Sequence, residues 1–133
     1  MYVDLVAAYL LANRGRMPLT GNIDHLRRYI GLNIEDNTIR LVQGGDSRLK
    51  GVCLWKMTTE KRGEPGVWEK SSEDGNIIVV YHLVATDRRA VSRIAGYLLE
   101  RYPNAREVWG ERSGKPKKYS IDYLRRLRDG KRR

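Results

Sequence analysis

The sequence predicts a single α/β domain in which a mixed sheet is flanked by helices. Three observations lead to this prediction: helical periodicity near both ends of the chain, strand patterns between them, and one amphipathic helix that connects two strands. The chain has 133 residues, which is enough for one hydrophobic core and not for a second. We therefore expect residues 1–133 to form one domain.

Two helices are expected first. Apolar residues recur at helical spacing over residues 3–11, and Gly15 follows as a helix breaker. Residues 23–30 place three apolar side chains on one helical face, and Gly31 comes directly after them. Because glycine is common just past the end of a helix, we expect Gly31 to end the second helix.

The pattern then changes to that of strands. Residues 38–42 and 51–58 flank a Gly-Gly-Asp turn, which predicts an antiparallel hairpin. Residues 61–76 are rich in glycine, serine and proline, so we expect a long mobile loop. Residues 77–84 are apolar on both faces, which is typical of a central strand covered by helices on each side.

The last third contains two more expected helices. Thr86 is expected to cap a helix over residues 87–102, because its hydroxyl can accept a hydrogen bond from an early backbone N–H group. Residues 106–110 form the next expected strand, parallel to the central one because a helix connects the two. Residues 114–118 are expected to form a basic loop, and Ser120 to cap a final basic helix before a basic tail.

Composition excludes several classes of protein. No apolar run approaches the roughly 18 residues that a bilayer-spanning helix needs, so no membrane insertion is expected. The first residues have no basic leader and no small-residue cleavage site, so we expect no signal peptide and a cytoplasmic location. Cys53 is the single cysteine, which excludes an internal disulfide and a cysteine-based zinc site, and we expect no metal.

Positive charge is concentrated in the last third of the chain. Residues 1–87 carry 11 basic and 11 acidic residues, whereas residues 88–133 carry 15 basic and 5 acidic ones. This excess predicts an anionic partner, which can be a phosphorylated cofactor, a nucleic acid or an acidic protein surface. Tyr119 and Tyr123 interleave with the basic residues, as is usual where bases stack. The residues expected to contact nucleic acid are Arg112, Lys115, Lys117, Lys118, Arg125, Arg126 and Arg128.

The order of elements, in which a hairpin leads into an apolar strand and then a long helix, resembles the GNAT acyltransferase superfamily. Within it, three phrases resemble the RTX toxin-activating lysine acyltransferases: residues 51–55 (Gly-Val-Cys-Leu-Trp), 101–104 (Arg-Tyr-Pro-Asn) and 114–116 (Gly-Lys-Pro). The chain is shorter than either family norm, without a clear first strand or a full C-terminal hairpin. The resemblance implies a truncated GNAT-like fold with acyl-CoA as cofactor and an amine as acyl acceptor.

In GNAT proteins, the turn from strand to helix carries an Arg/Gln-x-x-Gly-x-Gly/Ala phrase whose N–H groups hold the pyrophosphate of acyl-CoA. Residues 89–94 of this chain contain neither glycine, and the toxin activators also lack that phrase. The resemblance therefore implies a site in which charged side chains replace close backbone contact. It also requires that strand 77–84 parts from strand 106–110 to leave a wedge at the start of the following helix. The residues assigned to the cofactor are Thr86, Arg88, Arg89, Ser92 and Arg93.

Two histidines are candidates for the catalytic base. His82 lies on the central strand shortly before the long helix, where the resemblance implies a general base with a pKa near the ordinary value of about 6.5. The alternative for His82 is a half-buried ring that bonds a backbone carbonyl. His25, on the second helix, is a candidate because the toxin activators have a functional histidine in their early segment. The alternative for His25 is a solvent-facing helix residue.

Tyr123 is the candidate catalytic acid. The resemblance implies that Tyr123 protonates the leaving thiolate, and Tyr119 competes for the same role. The alternative is that Tyr123 packs at the start of a helix. Cys53 lies in mid-strand without a neighbouring base in sequence, so we expect a core residue rather than a nucleophile.

Two functions therefore stand as hypotheses. In the first, a GNAT-fold enzyme moves an acyl group from acyl-CoA or an acyl carrier to an amine. In the second, an inactive GNAT-fold module binds nucleic acid or a nucleoprotein assembly through its basic last third, as a phage or virion-associated protein. A structural subunit that presents loop 61–76 to a protein partner is a third possibility.

Overall fold

The computed structural model describes residues 2–13, 22–112 and 115–130. Within them the chain forms four helices and one five-stranded mixed sheet, which confirms the predicted α/β class. None of the described helices is long and apolar enough to cross a membrane. The elements are α1 (Tyr2–Asn13), α2 (Ile23–Glu35), β1 (Ile39–Gln43), β2 (Leu49–Thr58), β3 (Ile77–Ala85), α3 (Arg88–Arg101), β4 (Glu107–Arg112), β5 (Lys115–Ser120) and α4 (Asp122–Arg128).

The strands lie in the sheet in the same order as in the sequence, β1 to β5. Every neighbouring pair is antiparallel except β3 and β4, which are parallel. β3 and β4 are parallel because α3 connects them and returns the chain to the edge of the sheet at which β3 begins. The predicted parallel strand after the long helix is therefore confirmed.

Helices cover both faces of the sheet, and alternation along β2 separates the two cores. Cys53, Trp55 and Met57 pack with apolar residues of α3. Val52 and Leu54 point the other way and pack with α1 and α2. Both sides of β2 are buried, as expected for a strand between helical layers.

The predicted end of α2 at Gly31 is wrong, because the helix continues to Glu35. Its last turn is held from within the core, where the Asn33 amide donates to the Tyr29 carbonyl at 2.8 Å and accepts from the Thr38 hydroxyl at 2.7 Å. The chain leaves the helix at Asn37, whose φ of 57° lies in the left-handed region. Tertiary packing thus outweighs the local preference of glycine for a helix end.

The predicted basic loop at residues 114–118 is also wrong over residues 115–118, and residue 114 lies outside the described residues. Residues Lys115–Ser120 form β5, which pairs with β4 along its whole length. The full C-terminal hairpin that the sequence interpretation omitted is therefore present in the described strands. Ser120 belongs to β5, and the N-cap position of α4 is occupied by Ile121, which makes no side-chain capping bond.

The connection between β2 and β3 is tied to the fold at several points. The Ser71 N–H group donates to the Asp36 carboxylate at 2.8 Å, and the Ser71 hydroxyl accepts from the Met57 N–H group at 2.8 Å. The Tyr81 hydroxyl donates to the Pro65 carbonyl. These bonds hold the segment over the α2 side of the sheet.

Candidate active site

Strands β3 and β4 pair only at their beginning. Their register contains three pairs, Ile77 with Glu107, Ile78 with Val108 and Val79 with Trp109. Beyond Val79, β3 continues to Ala85 beside β2 alone, and β4 continues beside β5 alone. Strand pairing between them therefore ends after Val79, and α3 begins three residues after β3 ends.

A β-bulge lies where the strands part. Leu54 of β2 is opposite His82, but the next residue, Trp55, is opposite Val80, so Tyr81 is an extra residue in β3. A bulge re-aims the side chains that follow it. Here it places the rings of Tyr81 and His82 on the side of the sheet that α2 covers.

His82 is buried against α2, with 5% of its surface exposed. Its Nδ1 atom lies 3.1 Å from the hydroxyl of Tyr29, and the two rings meet edge to face. None of the described residues forms a hydrogen bond with Nε2. Burial lowers the pKa of His82 from 6.5 to about 4, so the ring is neutral at pH 7. The partner of His82 is a phenol rather than the backbone carbonyl considered from the sequence.

His25 lies one helical turn before Tyr29 and is exposed. Its ring is 6.3 Å from that of Trp68, and Trp68 in turn is 6.5 Å from Tyr29. The guanidinium of Arg28 lies 5.3 Å from the centre of the Trp68 ring. The structure therefore brings the two predicted histidines into one region, with Tyr29 and Trp68 between them.

The start of α3 is capped by a carboxylate. Asp87 is the N-cap residue and accepts from the Ala90 N–H group at 2.9 Å. The expected cap, Thr86, instead donates its hydroxyl to the Lys50 carbonyl of β2 at 3.2 Å. Asp87 takes the cap because it occupies the extended position immediately before the first helical residue. Its negative charge opposes a phosphate at the same helix end.

The basic residues assigned to the cofactor remain at the surface. Arg88 and Arg89 are exposed in the first turn of α3, and Arg93 is exposed in the second. Ser92 is engaged elsewhere, because its hydroxyl donates to the Arg128 carbonyl at the end of α4. The structure thus places three arginines near the helix start and turns Ser92 toward α4.

Tyr123 is not brought to His82. Its ring stacks on that of Tyr119, with centroids 4.2 Å apart and planes 14° apart. Tyr123 belongs to α4, whose Leu124 packs in the core formed with α3, whereas His82 faces α2 on the other side of the sheet. Base and acid as assigned from the sequence therefore lie on opposite faces.

The basic side chains expected to bind nucleic acid are exposed on β5 and α4 at one edge of the sheet. Several already interact: Lys118 lies 4.2 Å from the centre of the Trp109 ring, Arg125 pairs with Asp122, and Arg128 pairs with Asp129. Arg112 is the last residue of β4 and is opposite Lys115, and its side chain is outside the described part of the structure. The remaining members of the set are Lys115, Lys117 and Arg126.

The sequence interpretation missed Tyr29, Trp68 and Lys56. Lys56 lies in β2 opposite Val79 and is 2% exposed. Burial lowers the pKa of its ammonium group, an effect that the carboxylates of Asp36 and Glu69 partly offset. The available signal was a lysine in the middle of the predicted strand 51–58, whereas Tyr29 had no signal because its partner is 53 residues away.

Among the described residues, no group of three or more histidine, cysteine, aspartate or glutamate side chains is placed to hold a metal ion.

Comparison with known proteins assigns the chain to no family. No protein-family model matches the chain, and no curated protein matches it either.

Proposed function

We propose that the chain binds an acyl thioester, carried by coenzyme A or a carrier protein, beside the free edge of β3 and transfers the acyl group to an amine. The observation that carries this proposal is the parting of β3 from β4 directly before α3. The amine nitrogen would attack the thioester carbonyl, forming the C–N bond, and the C–S bond would break to release a thiol. The proton lost by the amine ends on the thiol or in solvent.

The edge of β3 that is not paired with β4 can bind the pantetheine arm of an acyl thioester. After Val79, the backbone groups of β3 that point away from β2 have no strand partner among the described residues. The pantetheine arm common to coenzyme A and carrier proteins contains two amide groups, which can hydrogen-bond to a strand edge as an added strand does. The parted edge therefore offers a binding mode that does not depend on a glycine-rich turn.

The anionic end of the donor would meet the arginines rather than the helix end. Arg88, Arg89 and Arg93 are exposed around the first turns of α3. Guanidinium groups bind phosphate through paired, charge-assisted hydrogen bonds. Because Asp87 already caps the helix, side-chain contacts supply the attraction that a glycine cradle supplies elsewhere.

Isothermal titration with acetyl-CoA and longer acyl-CoAs tests this proposal. We expect saturable binding that is weaker by about tenfold in Arg89→Ala, which corresponds to about 1.4 kcal/mol. The matched control is Arg62→Ala, which removes the same charge from an exposed position in the β2–β3 connection. Absence of binding for every thioester, or equal losses in both variants, would contradict the proposal.

A second candidate function is binding of nucleic acid, or of a nucleoprotein assembly such as a virion, through the basic edge. It is favoured by Lys115 and Lys117, which are exposed on the outermost strand of the sheet, and by Arg126 on α4. Each phosphate contact would release counterions and add about 0.9 to the slope of log affinity against log salt on duplex DNA. Lysine and proline on an edge strand also prevent edge-to-edge pairing, which is the competing explanation.

Fluorescence anisotropy with a labelled duplex across salt concentrations distinguishes the two explanations. We expect the double variant Lys115→Gln/Lys117→Gln to lower the salt slope by about 2 if both lysines contact phosphate. The control Lys61→Gln/Lys70→Gln removes the same charge from the β2–β3 connection. If binding is absent, or the slope does not change, the lysines protect the edge and do not bind nucleic acid.

A further inference from the structure

The hydrogen bond between Tyr29 and His82 admits two arrangements of protons. In the first, the Tyr29 hydroxyl donates to Nδ1, and the ring carries its own proton on Nε2. In the second, Nδ1–H donates to the Tyr29 oxygen, and Nε2 carries a lone pair. The two arrangements give opposite chemistry at Nε2, which is a donor in the first and an acceptor in the second.

The first arrangement leaves fewer buried polar atoms without a hydrogen-bond partner. The Tyr29 side chain is fully buried, and Nδ1 of His82 is the single hydrogen-bond partner of its hydroxyl among the described residues. If Nδ1–H were the donor, both the Tyr29 proton and the Nε2 lone pair would lack a partner. If Tyr29 is the donor, only the Nε2–H group lacks one.

We infer that Tyr29 holds His82 as the Nε2–H tautomer, so that Nε2–H, which is buried and has no acceptor among the described residues, is a hydrogen-bond donor for a ligand carbonyl oxygen rather than a base. This inference rests on the proposed function, which identifies that carbonyl as the thioester carbonyl. His82 lies in the part of β3 that no longer pairs with β4, three residues beyond the last pair. Tyr29 is then a positioning residue, because it acts on the ligand only through the imidazole.

The ionisation of both groups agrees with this arrangement. Burial raises the pKa of Tyr29 far above its ordinary value, so the phenol keeps its proton. Burial also keeps the imidazole of His82 neutral at pH 7. The pair therefore holds one proton on each residue, as both arrangements require, and the satisfaction of buried groups decides between them.

A neutral donor has a defined role in acyl transfer. As the amine attacks, negative charge develops on the carbonyl oxygen, and a preorganised N–H group stabilises that charge. His82 gives up no proton and takes none. The proton of the amine leaves with the thiol or to solvent, so the reaction balances without a base at this position.

Nitrogen NMR of histidine-labelled protein measures the tautomer directly. The chain contains two histidines, so His25→Gln assigns the remaining signals to His82. At pH 7 we expect a protonated, pyrrole-like Nε2 and an unprotonated, pyridine-like Nδ1 for His82. Tyr29→Phe keeps the ring in place and should produce a mixture of both tautomers. A protonated Nδ1 in the unmodified chain would overturn the inference.

The rate of acyl transfer from acetyl-CoA to an amine tests the donor role of His82. His82→Gln keeps an N–H donor, whereas His82→Leu does not, so we expect the leucine variant to lose about 100-fold in kcat and the glutamine variant to lose much less. Equal losses in both variants would overturn the donor role. If acetyl-CoA and the longer acyl-CoAs all fail to bind, the proposed function fails while the tautomer stands on the NMR result. If acetyl-CoA binds but the tautomer is reversed, the inference fails and the proposed function survives.

Discussion

Burial fixes the charge of His82 and sets how the protein responds to pH. The imidazole is packed between Tyr29 of α2 and the sheet, and no charged group contributes to the lowering of its pKa. Its position on the central strand could be predicted from sequence, because the apolar pattern of residues 77–84 is strong. Its protonation state could not, because α2, which buries the ring, is distant from His82 in the sequence.

The first prediction concerns stability against pH. The pKa of His82 is about 4 in the folded state and 6.5 as an ordinary value, so between these limits the unfolded state binds more protons. Stability should therefore fall as the pH is lowered from 6.5 toward 4, by about 3 kcal/mol from this residue. Urea unfolding at several pH values measures it, as the difference between the unmodified chain and His82→Gln. His25→Gln should leave the slope unchanged, and parallel curves for His82→Gln and the unmodified chain would contradict the assignment.

At the scale of elements, local signals succeeded where burial is periodic and failed where it is not. The apolar stripe of α3 and the apolar run of β3 result from packing, so the sequence pattern revealed both. β5 is an edge strand whose first four residues are exposed, so it carries no apolar alternation that a sequence pattern could reveal. α2 passes through Gly31 because contacts of Asn33 with Tyr29 and Thr38 extend it.

The second prediction follows from the interior position of Gly31. Nothing lies within 4 Å of the place that a Cβ atom would occupy, and its φ is not positive. Gly31→Ala should therefore stabilise the protein by about 1 kcal/mol, because alanine loses less backbone freedom in a helix. The control is Gly63→Ala, at φ 73°, which should destabilise. Thermal unfolding compares the two, and destabilisation by both would indicate that α2 ends at Gly31 after all.

The third prediction concerns the cap of α3. Asp87→Ala removes the acceptor for the Ala90 N–H group and should cost about 1 kcal/mol in the free energy of unfolding. Asp87→Asn keeps an acceptor and removes the negative charge, so its stability should stay close to that of the unmodified chain. Under the proposed function, Asp87→Asn should also bind acetyl-CoA more tightly. Unchanged binding by the asparagine variant would place the phosphates away from this helix end.

At the scale of the molecule, the sheet is continuous at one end and divided at the other. β3 is paired on both sides over Ile77–Val79 and on one side beyond that point. The order of elements allowed the parallel pair to be predicted, since a helical crossover demands it. The residue at which pairing between β3 and β4 ends depends on the register of the two strands. Register is set by contacts between residues far apart in sequence, which no local pattern encodes.

The fourth prediction tests this division by amide hydrogen exchange. The N–H groups of Ile77–Val79 should be protected, whereas those after Val79 that point away from β2 should exchange faster. Under the proposed function, saturating acetyl-CoA should slow exchange at the latter set. Uniform protection along β3 in the free protein would mean that the strands are paired throughout.

The hydrogen bonds that anchor the connection between β2 and β3 affect how readily a protease cuts it. Lys61, Arg62 and Lys70 are exposed sites for trypsin, yet the backbone around them is anchored to Thr58, Asp36 and Tyr81. A protease must draw out an extended stretch of chain before it can cut, so nicking at these positions should follow the breaking of these hydrogen bonds. Trypsin cleavage at these positions would then measure how often this connection detaches from the sheet and α2.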